Sequence, residues 1–280
     1  MTPYPFLKGH GTQNDFVLLP DHDAAIHGRL DPARVRALCD RRAGIGGDGV
    51  LRVVRTAEVP DVAHLAAEAE WCMDYRNADG SLSEMCGNGV RVFVRHLLEE
   101  GLVDAAAPVA VATRGGVKTV EVVGDQLRVD MGEPRVLGET AVSVGHATWP
   151  ARHVDMGNPH AVAFVDSLDP AGLVGRLIDP PIHDPGVYPR GVNVEFVQRR
   201  GERHVAMRVH ERGSGETRSC GTGACAVAVA TALADGRAPG EEATYRVDLP
   251  GGTLVVTWTA AGRILMTGSA VIVARGETAL

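Results

Sequence analysis

The stretch Met85-Cys86-Gly87-Asn88-Gly89 returns 134 residues later as Ser219-Cys220-Gly221-Thr222-Gly223. Each copy precedes a helical pattern. After Cys86, the apolar residues Val90, Phe93, Val94, Leu97 and Leu98 recur at the spacing of an amphipathic helix, and Gly101 supplies a left-handed stop. After Cys220, the run Ala224-Cys225-Ala226-Val227-Ala228-Val229-Ala230 is apolar on every side, which predicts a helix buried all round and ending near Asp235-Gly236. A helix that starts on Cys-Gly-x-Gly is therefore expected twice.

Working outward, more of the chain repeats. Asn14, within the block His10 to Val17, matches Asn158, within the block Asp155 to Val162, at a spacing of 144. Gly46-Gly47-Asp48-Gly49-Val50 aligns with Arg190-Gly191-Val192-Asn193-Val194 at the same spacing. Tyr75 to Gly80 leads to Cys86 as His210 to Gly215 leads to Cys220, and the two cysteines are 134 apart. A constant offset that slips once, as one loop shortens, is the mark of two homologous halves. Each half also carries a hairpin pattern: Val117–Val123 with Leu127–Met131, and Tyr245–Leu249 with Leu254–Trp258. The expected class is α+β, with two pseudo-symmetric α/β domains, each a curled, mainly antiparallel sheet around a central helix.

Bulk properties exclude several functions. A net charge of -7 and few aromatic residues argue against nucleic-acid binding, which needs a basic footprint and stacking platforms. The longest apolar stretch, Ala224 to Ala234, is too short to span a bilayer, so no membrane association is expected. The opening residues lack a charged segment followed by an apolar one, so a cytoplasmic protein is expected. Five irregularly spaced cysteines without a Cys-x-x-Cys pair or a nearby His cluster give no zinc signature. Lys8 and Lys118 are the two lysines, and neither stands where a Schiff-base lysine would. No metal and no cofactor are expected.

The remaining chemistry is that of the thiols. Glycines at a helix start let backbone N–H groups approach an anion, and the helix dipole favours negative charge there. The same field is expected to lower a thiol pKa toward neutrality. Two such starts directed at one carboxylate leave a sulfur on each side of an α-carbon. A thiolate then removes the α-proton from one face while a thiol delivers a proton to the other. The carbanion between these steps needs dry electrostatic stabilisation, which two helix starts supply.

Together these blocks, with Asn77-Ala78-Asp79-Gly80, Met156-Gly157-Asn158-Pro159-His160 and Glu211-Arg212-Gly213, resemble the diaminopimelate epimerase family. The resemblance covers nearly the whole chain. It implies interconversion of LL- and meso-2,6-diaminopimelate on the route to lysine and peptidoglycan, and a homodimer. It implies domains at 1–128 plus 269–280, carrying Cys86, and at 129–268, carrying Cys220. Cys86 and Cys220 match the catalytic thiols, and His160 and Glu211 match groups that tune them. Asn14, Asn77, Gly87, Asn88, Asn158, Asn193, Glu211, Arg212, Gly221 and Thr222 match substrate contacts. Arg212 suits a distal carboxylate as a bidentate fork, and Glu211 suits an ammonium. Gly49 departs from the family, many members of which carry a substrate-contacting glutamine there.

Other readings are plainer. Cys39, Cys72 and Cys225 read as packing thiols, Arg199-Arg200 and Glu241-Glu242 as solvated turns. A racemase for proline or hydroxyproline on the same scaffold leaves Glu211-Arg212 without a purpose. A non-catalytic thiol switch leaves two complete helix-start anion sites unexplained.

Overall fold

Alternate residues of β1 (Tyr4–Gly11) are buried, with Leu7, Gly9 and Gly11 facing inward, and a tight turn sends the chain back along β2 (Asn14–Pro20). Thr12 and Gln13 form that turn with φ of 48° and 63°. Two consecutive left-handed residues match the twist of a two-residue hairpin. The computed structural model describes residues 2–280, which cluster into two compact units, one running up to Val129 and including Gly268–Leu280, the other Asp130–Thr267.

In the first unit, α1 (Pro32–Cys39), capped by Asp31, leads to β3 (Gly49–Arg55), which runs parallel to β2. Antiparallel β4 (Trp71–Asn77) follows. Then α2 (Gly87–Glu99) crosses to β5 (Val109–Thr113), parallel to β4. Antiparallel β6 (Gly116–Val123) and β7 (Gln126–Gly132) close the run as the expected hairpin. Helix α2 packs against β1, β2, β3 and β6, so the sheet wraps around it. Val90, Phe93, Val94 and Leu97 are fully buried, each worth roughly 1.5–3 kcal/mol of apolar burial. The helix ends at Glu100, followed by Gly101 at φ 67°.

The second unit repeats this plan. Antiparallel β8 (Arg135–Val144), β9 (Ala147–Asp155) and β10 (Pro159–Phe164) lead through a long excursion carrying β11 (Ile182–His183). Next come β12 (Asn193–Gly201), parallel to β10, then β13 (His204–Glu211) and the short β14 (Gly215–Thr217). Helix α3 (Gly221–Ala234) crosses to β15 (Ala243–Leu249), parallel to β13, and β16 (Gly252–Trp258) forms the second expected hairpin. β17 (Ile264–Gly268) follows, and β18 (Val271–Thr278) returns to the first unit to pair antiparallel with β1. Helix α3 packs against β9, β10, β12, β13, β15 and β16.

The strand registers carry the repeat to single residues. Phe16 stands opposite Gly49, and His160 opposite Asn193, both shifted by 144. Val50 pairs with Arg76, and Val194 with His210. The α+β class with two pseudo-symmetric sheet-and-helix units is what the chain adopts. Arg199 and Arg200 belong to the exposed end of β12 rather than to a turn. Among the described residues no helix is long and apolar enough to cross a membrane.

Candidate active site

Both cysteines are N-caps. Cys86 has an extended backbone, φ −141°, and its Sγ accepts from the Gly89 N–H at 3.5 Å. Cys220, φ −121°, accepts from the Gly223 N–H at 3.3 Å. The sulfur takes the place that a Ser or Asp oxygen usually fills. Each thiol thus lies in the positive field of a helix start.

Around Cys86 the structure gathers Asn14 and Asn88. Asn14 Oδ1 accepts from Cys86 Sγ at 3.5 Å and from Asn88 Nδ2 at 3.2 Å. Asp48 fixes that orientation, because its Oδ2 accepts from Asn14 Nδ2 at 2.7 Å and from the Asp15 N–H at 3.1 Å. Arg41 and Lys8 in turn hold Asp15, whose carboxyl falls to about 2 because their hydrogen bonds and charges outweigh burial. Buried Arg91 donates to Asn88 Oδ1, to Gly87 O at 3.4 Å and to Ser269 O at 3.1 Å. Asn77 ends β4 and donates to Ser81 Oγ at 3.0 Å within its own turn. At Gly49 the backbone is crowded: a Cβ there would stand 2.5 Å from the Arg76 carbonyl oxygen and 2.6 Å from the Tyr75 ring.

Around Cys220 the environment is drier and more acidic. Thr222 Oγ1 lies 3.5 Å from its sulfur. Burial pushes the Cys220 thiol well above its ordinary range, and the carboxyl groups of Glu211 and Glu195 push the same way. This corrects the expectation of a lowered pKa: desolvation outweighs the helix-start field. His160, fully buried on β10, has Nδ1 2.6 Å from Glu195 Oε1 and Nε2 3.0 Å from Asn158 Oδ1.

A second cluster forms at the ends of β12 and β13. Asn193 Oδ1 accepts from the Arg212 N–H at 2.9 Å, and Glu211 accepts from Thr217 Oγ1. The exposed Arg212 guanidinium donates to Arg190 O at 3.3 Å. Gly221 opens α3 as Gly87 opens α2.

Two residues escaped the sequence reading. Asp48 sits in a glycine-rich block, and Glu195 interrupts the apolar run Val194 to Val197. A lone carboxylate in a buried strand was the available signal. Cys39, Cys72 and Cys225 are buried, and burial raises the first two thiols to about 11 and about 12. Among the described residues no group of three or more His, Cys, Asp or Glu gathers as a metal site would.

Known proteins are similar to this chain in sequence and in fold. The sequence model of the family described as diaminopimelate epimerase matches residues 6–137 and 152–273. A protein of Streptomyces coelicolor named diaminopimelate epimerase is 64% identical, with 99% of this chain and 96% of the relative covered. One of that name from Corynebacterium glutamicum is 47% identical over 98% of this chain and 97% of its own length. Among solved structures, a PhzF-family phenazine biosynthesis protein of Bacillus anthracis superposes with a TM-score of 0.72 at 16% identity, covering all of both chains. A hydroxyproline epimerase of Agrobacterium vitis, with trans-4-hydroxy-L-proline bound, gives 0.67 at 17% identity, covering 99% of this chain and 93% of its own. Those two likenesses show the fold, and the family match with its close relatives shows that this chain belongs to the diaminopimelate epimerases.

Proposed function

We propose that the protein interconverts LL- and meso-2,6-diaminopimelate, with Cys86 and Cys220 acting on opposite faces of one α-carbon. The observation that carries this reading is the pair of thiol N-caps at equivalent points of an internal repeat. The name of the 64%-identical relative supports the substrate.

In this reading the helix-start amides at Gly87-Asn88 and Gly221-Thr222 hold the reacting carboxylate. One sulfur, as thiolate, takes the α-proton. The electron pair spreads onto the carboxylate, and the other sulfur, as thiol, gives its proton to the opposite face. Burial favours the thiol form of Cys220. His160 and Glu211 set the protonation of the pair, while Asn14, Asn77, Asn158 and Asn193 position the substrate. Arg212 pairs with the distal carboxylate and Glu211 with the distal ammonium. The reading needs neither cofactor nor metal, and it includes a cytoplasmic homodimer in lysine and peptidoglycan synthesis, supported by the family resemblance.

Incubation with LL-diaminopimelate in deuterated buffer under reducing conditions tests it. The expected product is the meso isomer with one α-deuterium, formed equally well with a chelator present. Activity surviving in Cys86→Ala would overturn the two-thiol mechanism. Exchange into proline, with none into diaminopimelate, would overturn the substrate.

A further inference from the structure

The two halves differ beneath their helix starts. Under Gly89 of α2, a Cβ would meet Leu51 and Phe16 at 3.4 and 3.5 Å. Under Gly223 of α3, it would meet Glu195 Oε1 at 2.8 Å. Glu195 is Leu51 shifted by 144, and His160 is Phe16 shifted by 144. An apolar pair therefore suffices to support the fold at this point. In the second half it is replaced by two ionisable residues, both fully buried. Glu195 Oε2 has no hydrogen-bond partner among the described residues. Keeping such a group out of water costs about 1–3 kcal/mol, so packing does not account for its presence.

The hydrogen bonds run in one direction. Asn158 Oδ1 can only accept, so His160 Nε2 carries the proton between them. The remaining ring nitrogen, Nδ1, then shares one proton with Glu195 Oε1 across 2.6 Å. In a fully buried site the neutral arrangement wins, with a carboxylic acid donating to imidazole. Burial indeed raises the Glu195 pKa, opposed by His160 and reinforced by Glu211. Cys220 and Tyr188 also feel the Glu195 carboxyl.

We propose that Glu195 is a positioning residue: through His160 it pins the Asn158 amide so that its Nδ2 donors face the substrate's carboxylate. The matching asparagine of the other half is pinned the opposite way. Asp48 accepts from Asn14 Nδ2, and the Asn14 carbonyl is turned to Cys86 and Asn88. One half offers an acceptor and the other a donor at equivalent positions. A substrate that carries ammonium and carboxylate groups meets both needs. The assignment of Asn158 to a carboxylate rests on the epimerase reading, whereas the relay itself does not.

The test is nitrogen NMR of protein labelled with 15N-histidine, with the His160 signals assigned by His160→Gln. In the wild type, His160 is expected as a neutral ring protonated at Nε2, with Nδ1 accepting. A neutral His160 protonated at Nδ1 overturns the relay, whether or not the enzyme turns over diaminopimelate. In Glu195→Gln, the amide N–H replaces the acid proton as donor, and both the tautomer and KM are expected to persist. In Glu195→Leu, which copies Leu51, the tautomer is expected to change and KM to rise roughly tenfold with a smaller change in kcat. An unchanged tautomer in Glu195→Leu, or its loss in Glu195→Gln, overturns the proposal. If Glu195→Leu does not fold, the wild-type and Glu195→Gln spectra decide.

Discussion

Helices α2 and α3 start on the same backbone figure, a cysteine N-cap followed by Gly-x-Gly, yet their surroundings have diverged. Arg91 of α2 is fully buried and ties the helix to Ser269, while its counterpart in α3, shifted by 134, is the buried thiol Cys225. The floor under α2 is Phe16 and Leu51, and that under α3 is Glu195 with its partner His160. Strand register survived in both halves because slipping one residue would turn every inward side chain outward. Individual side chains were free to change wherever a new partner satisfied them. Backbone symmetry and chemical asymmetry therefore coexist in one chain.

The comparison breaks first at the thiols. Cys86→Ala and Cys220→Ala are each expected to lower kcat by about 10²–10⁴-fold, the usual worth of a general acid or base. Deuterium incorporation from solvent measures both, and a half that retained activity without its thiol would end the equivalence.

Next come the helix bodies. Arg91→Met leaves Ser269 O and Asn88 Oδ1 without that donor, and is expected to lower stability by about 2–4 kcal/mol in a denaturant titration. Cys225→Ala, at the matching point, removes one sulfur and is expected to lower it by about 1 kcal/mol.

The glycines sharpen the contrast further. Gly223→Ala puts a methyl 2.8 Å from Glu195 Oε1 and 3.2 Å from Cys220 Sγ, so a loss of about 1–3 kcal/mol is expected. Gly89→Ala meets neighbours at ordinary contact, 3.4 Å and beyond, and gains helix propensity of up to about 1 kcal/mol. Thermal unfolding of the two variants should shift in opposite directions, and equal shifts would contradict the difference in floors.

The smallest effect is a pH slope. Burial lowers His96 of α2 from 6.5 to about 4, so the folded state holds it neutral. Its contribution is intact above pH 6.5 and is lost as the pH falls toward 4, because the unfolded chain takes up the proton first. At pH 5.5 the loss is about 1 kcal/mol. His96→Phe should flatten the fall in Tm between pH 6.5 and 5.5, while no matching histidine exists on α3.

Much of this was legible from residue order. The helices, both hairpins and the repeat follow from apolar spacing and glycine placement, because those features depend on local geometry. The N-cap thiols were legible for the same reason. Glu195 was hidden because its meaning depends on what stands behind Gly223, a contact between residues 28 positions apart in sequence. The pKa of Cys220 was misjudged because the helix field is a local quantity, whereas desolvation sums over the whole surrounding unit. Asp48 was quoted for its glycines, and its grip on Asn14 required the fold.

Strand β18 closes the first unit by pairing with β1, although all of residues 130–267 intervene. On the ribosome this reverses the natural order of completion. The second unit has its full complement of strands while the first still exposes the edge of β1. At ordinary elongation rates that wait lasts roughly ten seconds or more. An open strand edge invites pairing with other nascent chains, so slow translation of the second half is a period of vulnerability for the first.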